Sequence, residues 1–119
     1  MKFVLDLPFM RAGYEFLRAD AGLFADLAMP LHTSFIVTRS RKNRGTATCF
    51  REYGVIELSR TLIADASEGL AMMAHEMLHL AQSMAEKDGD DFHGPWFRKH
   101  GRKLCTYYGW SHEQFGLRG

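Results

Sequence analysis

The chain has 119 residues, 46% apolar and 24% charged, with a formal net charge of +1. That length suits one domain, 1–119, with a single core, and the composition excludes a disordered chain. The balanced charge gives no global argument for nucleic acid, and two cysteines without a C-x-x-C pair exclude a cysteine-built zinc module and argue against a disulfide framework.

In chain order, Met1–Leu5 is interrupted by Asp6 and Pro8, so no signal peptide is expected. Asp6 and Pro8 instead open a helix, expected over 9–28, with Phe16, Leu17, Phe24 and Leu27 as its buried stripe. Met29-Pro30 ends it, because the residue before proline is pushed out of the helical region. Ser34–Thr38 is β-branched and reads as a strand. Arg39–Gly45 is polar, basic and glycine-terminated, the mark of a loop or hairpin tip. Thr46–Phe50 and Val55–Leu58 are two further short strands with a turn around Tyr53-Gly54. Together they predict a small, largely antiparallel sheet.

A long helix is expected over about 60–86, packing Met73, Met77, Leu80 and Met84 inward at helical spacing. His75, His79, Gln82 and Glu86 fall on roughly the opposite side. After the polar break Lys87–Asp91, Pro95 suits the first turn of a helix to about Tyr108, with Phe97, Leu104 and Tyr108 inward. The tail from Gly109 shows no periodicity. No run approaches a membrane span, so a reduced, cytoplasmic protein without membrane partners is expected, nucleoid or nuclear association being left open.

The chemistry concentrates at His75-Glu76-Met77-Leu78-His79. Side chains four apart in a helix share one face, so His75 and His79 can point two imidazoles at one metal ion. Zinc takes neutral imidazoles and keeps one position for water at catalytic sites, and such water ionises near pH 7. Glu76 would take that proton and pass it to a leaving amine. The extended pattern HExxHxxGxxH would need glycine at 82 and histidine at 85, where the chain has Gln82 and Ala85. Glu86 lies roughly 10 Å along the axis from His79, too far to share an ion. His93, before Pro95, is the favoured third ligand, and Glu113 is the alternative. His32, His100 and His112 read as ordinary histidines.

His75–His79 followed by His93-Gly94-Pro95-Trp96-Phe97 and Lys99-His100 resembles the SprT-like (Spartan-type) zinc metalloproteases, as do Gly45–Cys49 and Ile56–Ser59. The resemblance spans roughly residues 32–108. It implies a zincin-like α+β domain in which a three-stranded, mostly antiparallel sheet packs on the central HExxH helix, with one helix before and one after. It further implies one catalytic zinc ion on His75, His79 and His93, with Glu76 as acid and base, and cleavage of protein or peptide substrates, in the best-known members proteins attached to DNA. A minimal form without the family's zinc ribbon is expected. DNA is a candidate partner through Arg39, Arg41, Lys42 and Arg44 in the loop and Arg98, Lys99, Arg102 and Lys103 on the last helix. The rival reading is a zinc-stabilised nucleic-acid-binding module with little peptidase activity. Tyr53, Tyr107 and Tyr108 are candidates for oxyanion stabilisation, with no role assigned.

Overall fold

A computed structural model describes residues 3–20, 22–87 and 91–117; positions 88–90 of the polar break lie outside them. The order of elements is α1 (Leu7–Ala19), β1 (His32–Thr38), β2 (Gly45–Phe50), β3 (Tyr53–Ser59), α2 (Ala66–Met84), α3 (Pro95–Tyr108) and α4 (His112–Phe115).

Helix α1 starts where expected, with the Asp6 carboxylate accepting from the Phe9 N–H at 2.8 Å and Pro8 in the first turn. It ends nine residues early, because Asp20 is extended (φ −70°, ψ 144°). The buried stripe is Met10, Gly13, Tyr14 and Leu17, whereas Phe16 is 52% exposed. Phe24 is buried all the same, from the irregular segment after the helix.

The sheet order is β1-β3-β2. Strand β3 is central, pairing antiparallel with β2 and parallel with β1, so the sheet is mixed. The basic loop 39–44 is therefore no hairpin tip, since it carries the chain from one edge of the sheet to the other. The true hairpin joins β2 to β3 through Arg51 and Glu52, with Phe50 opposite Tyr53. Arg51 takes the left-handed conformation that closes this turn (φ +56°), and Tyr53 and Gly54 belong to the strand.

Ser59 Oγ accepts from the N–H groups of Thr61 and Leu62, a local turn that delays α2 to residue 66. There Asp65 caps the helix, accepting from the Glu68 N–H at 2.8 Å. Met73, Met77, Leu78 and Leu80 are fully buried, packed with Ile56 and Leu58 of β3. A helix enclosed on nearly all sides is a core element, and burial of such side chains stabilises by about 1.5–3 kcal/mol each. Helix α3 buries Phe97 and Leu104. Tyr108 is half-buried, its hydroxyl donating to Asp20 at 2.7 Å and tying α3 to the end of α1. The unexpected element is α4, a single turn closed by a reciprocal cap between Ser111 and Gln114. Cys49 and Cys105 are free thiols. No helix among the described residues is long and apolar enough to cross a membrane.

Candidate metal centre

Helix α2 presents His75 and His79 one turn apart, their ring centroids separated by 4.9 Å. His93 arrives from the segment before α3, held by its backbone N–H donating to Asp91 Oδ1 at 3.1 Å. Pro95 and the fully buried Phe97 anchor the first turn of α3 directly after it. The Phe97 ring stacks on His79 at 4.3 Å and meets His75 and His93 edge-on at 4.9 and 5.1 Å. One aromatic floor thus supports all three imidazoles.

One nitrogen from each of the three rings can be chosen so that all lie within 4.8 Å of one another. The other nitrogens of the two helix histidines are occupied. His75 Nδ1 stands 2.7 Å from the Phe115 carbonyl of α4; a carbonyl only accepts, so Nδ1 carries the proton and Nε2 keeps its lone pair. His79 Nδ1 is 3.0 Å from Gln82 Oε1. Gln82 is itself buried, and its amide nitrogen donates to the Lys87 carbonyl, which turns the amide oxygen toward His79. Partners of this kind orient metal-binding histidines and select their tautomer. His79 Nε2, left without a proton, lies 3.2 Å from His93 Nε2. Two ligands of a tetrahedral ion bound at about 2.0–2.1 Å stand about 3.3–3.4 Å apart, so this spacing fits one edge of such a polyhedron.

Electrostatics agree with that geometry. Burial lowers the His75 pKa to about 3, with His79 nearby adding to the effect. Burial likewise lowers His79 to about 4, against the hydrogen bond to Gln82. Both rings are therefore neutral near pH 7, the form a metal requires. Glu76 is 2% exposed, its Oε2 3.8 Å from His75 Nε2. Burial raises its pKa to about 8, opposed by the charge of Arg44. A buried carboxyl with a raised pKa beside a set of ligand nitrogens is the usual signature of a proton-transfer group.

Two glycines make room for these groups. A Cβ on Gly45 would stand 2.7 Å from Leu58 and 3.0 Å from Glu76 Oε2, so only glycine lets β2 pass this close to the carboxylate. Gly116 has φ +87°, and a Cβ there would lie 3.1 Å from His75 Nδ1.

A cavity of about 430 Å³ runs along β2, lined by Thr46, Ala47 and Cys49 with Leu80 and Phe92. A second, of about 460 Å³, is lined by Lys42, Arg44, Arg98, Met72 and Leu117. Gly45, His75, Glu76 and His93 border both. A model of the SprT-like family matches residues 15–114.

The chain belongs to the SprT-like family.

The SprT-like match takes in all four site residues and extends beyond the resemblance at 32–108, stopping one residue short of Phe115. It places the chain among metallopeptidase-type domains. No curated protein matches the chain.

The structure brings His75, Glu76, His79 and His93 together. Glu113 stays outside the cluster of ligand atoms; its side chain is exposed, and its backbone carbonyl accepts from Arg44 at 2.9 Å. Arg44 is not a surface cation of the loop. It also donates to Glu68 Oε2 at 3.0 Å and to the Gln114 carbonyl at 3.2 Å, clamping α4 against α2. Arg39, Arg41 and Lys42 are exposed, and Lys99, Arg102 and Lys103 share a separate cavity with Tyr107. Tyr53, Tyr107 and Tyr108 line neither cavity at the centre. His32 stacks on Tyr53 and His100 packs on Trp96. Sequence reasoning missed the parts that Gln82, Phe97, Arg44, Gly45 and the Phe115 carbonyl play at the site, reading Phe97 only as core and Arg44 only as a nucleic-acid contact. Only the first two carried a signal, Gln82 by sharing the ligand face and Phe97 by its place four residues after His93.

Proposed function

We propose that this protein is a zinc-dependent endopeptidase, with His75, His79 and His93 as metal ligands and Glu76 as the general base and acid. What carries the reading is the convergence of three imidazoles, with the outward nitrogens of His75 and His79 tied back and a buried carboxyl at their side. Zinc held there would supply a Lewis acid for the scissile carbonyl and bring the attacking water toward ionisation near pH 7.

The chain's own groups do the rest. Glu76 stands where it can take a proton from water and return it to the departing amine, and a pKa near the working pH suits both transfers. The Phe97 floor and the Gln82 and Phe115 oxygens hold the rings in place, so little reorganisation accompanies the reaction. β2 is an edge strand bordering the site. A substrate in extended conformation can add to it by main-chain hydrogen bonds, which selects unfolded or flexible protein segments. DNA-associated proteins are the proposed natural substrates, with Arg39, Arg41, Lys42, Lys99, Arg102 and Lys103 as proposed contacts to nucleic acid.

The test measures proteolysis of an unfolded protein by wild type and Glu76→Gln, each with and without single-stranded DNA, alongside zinc stoichiometry of wild type and His93→Ala. The expected result is one zinc per chain, lost in His93→Ala, and activity lost in Glu76→Gln with zinc retained. Equal activity in wild type and Glu76→Gln removes the glutamate from the mechanism. Salt-sensitive DNA binding without any peptidase activity would instead favour the nucleic-acid-binding module.

A further inference from the structure

The two cavities flanking Glu76 differ in chemistry. The one along β2 offers Ala47, Cys49, Leu80 and Phe92, and the other offers Lys42, Arg44 and Arg98. Gly45, His75, Glu76 and His93 mark the border between them. A peptide lying across the site therefore has its reacting bond at that border, with one flank in each cavity.

The direction of β2 settles which flank goes where. β2 runs from Gly45 to Phe50, and its paired neighbour β3 is antiparallel. Antiparallel ladders are the more stable and the more frequent, so an added strand enters at the Phe50 end and leaves over Gly45. Its residues before the scissile bond face Ala47 and Cys49. Those after the bond pass toward the loop 39–44 and into the cationic cavity.

Resting on the peptidase reading, we propose that this second cavity is a specificity site that binds a carboxylate of the substrate just C-terminal to the scissile bond. Lys42 brings an exposed ammonium on a loop whose backbone is set by Ser40 Oγ accepting from the N–H groups of Lys42 and Asn43. Arg44 stands behind it as a strut, its guanidinium fixed by two carbonyls and its charge matched by the Glu68 carboxylate, so the Lys42 ammonium is the group that meets the substrate. Arg98, from the first turn of α3, also lines the cavity. Among the described residues, the acidic side chain lining the cavity is Glu76, which belongs to the reacting centre. A cavity so lined favours an anion and disfavours a lysine or arginine at the same position. Carboxylates from two sources fit: an aspartate or glutamate side chain, or the free terminus of a chain ending there.

The experiment uses the zinc-loaded full chain and a set of quenched fluorescent peptides that differ only in the residue after the cleaved bond (Glu, Gln or Lys), the bond being located by mass spectrometry. A parallel pair ends one residue after the bond, as free acid or amide. The expected result is a kcat/KM about 10-fold higher for Glu than for Gln, the advantage shrinking with salt and Lys being the poorest. Faster cleavage of the free acid than of the amide would assign the site to a chain terminus. Lys42→Glu, in an exposed loop whose backbone bonds survive the change, should reverse the order so that the Lys peptide is preferred to the Glu peptide. Indifference to both the residue and the terminus overturns this inference and leaves the peptidase reading intact. Cleavage of no peptide at all overturns both. Equal stimulation of every peptide by a single-stranded oligonucleotide, lost in Lys42→Glu, would assign the cavity to phosphate and overturn the carboxylate site.

Discussion

Stripping the metal should leave a protein whose stability peaks near pH 6.5, because three buried groups titrate in opposing windows. In the unfolded chain His75 and His79 hold protons below 6.5 and Glu76 below 4.5, whereas in the fold these values become about 3, about 4 and about 8. Between pH 4.5 and 6.5 the unfolded chain carries two protons on the histidines while the fold carries one on Glu76. The net excess of one proton in the unfolded state makes stability rise with pH by about 1.4 kcal/mol per unit. Between 6.5 and 8 the histidines are neutral in both states, and only the fold keeps the Glu76 proton, so stability falls at the same rate. Glu76→Gln removes that term: the fall above 6.5 disappears and the rise below it doubles. Urea denaturation followed by fluorescence of Trp110 and Trp96, on metal-free protein at a series of pH values, reads both curves. Their difference cancels every other titrating group and should decline steadily with pH across the window from 4.5 to 8. A flat difference curve would refute the buried, protonated state of Glu76 and with it the argument that burial poises this carboxyl.

Gln82→Met should weaken zinc binding about 10- to 100-fold, measured by competition with a chromogenic chelator, because His79 Nδ1 loses the acceptor that orients it; unchanged affinity would show that Phe97 alone holds the ring. In Gly45→Ala the new methyl meets Leu58 and Glu76 Oε2, so hydrolysis should fall while zinc stoichiometry stays at one per chain. Arg44→Met should lower the unfolding free energy by about 1–3 kcal/mol, since Glu68 and the carbonyls of Glu113 and Gln114 lose their donor; a neutral result in urea denaturation would mean that α4 is held by Phe115 and Leu117 alone.

Elements governed by local rules were legible from the chain itself. Asp6 with Pro8 opens α1, and Pro95 with Gly109 brackets α3, by chemistry confined to a few neighbours. The pairing of His75 with His79 comes from the pitch of a helix alone, and the chain reversal before Pro95 made His93 a reasonable third partner. What the tertiary structure decided were relationships between distant segments. Which strand is central, and that β1 lies parallel to it, rests on backbone hydrogen bonds that every residue can make, so no side-chain pattern specifies the partner. The clamp on His75 comes from a main-chain carbonyl forty residues away, in a turn too short to show periodicity. Arg44 reads in sequence like its neighbours Arg41 and Lys42, yet α4 folding back over it makes it a strut of the site rather than a free surface charge. Residue types and spacing set the reactive groups; long-range packing chose their tautomers, their burial and the open strand edge beside them.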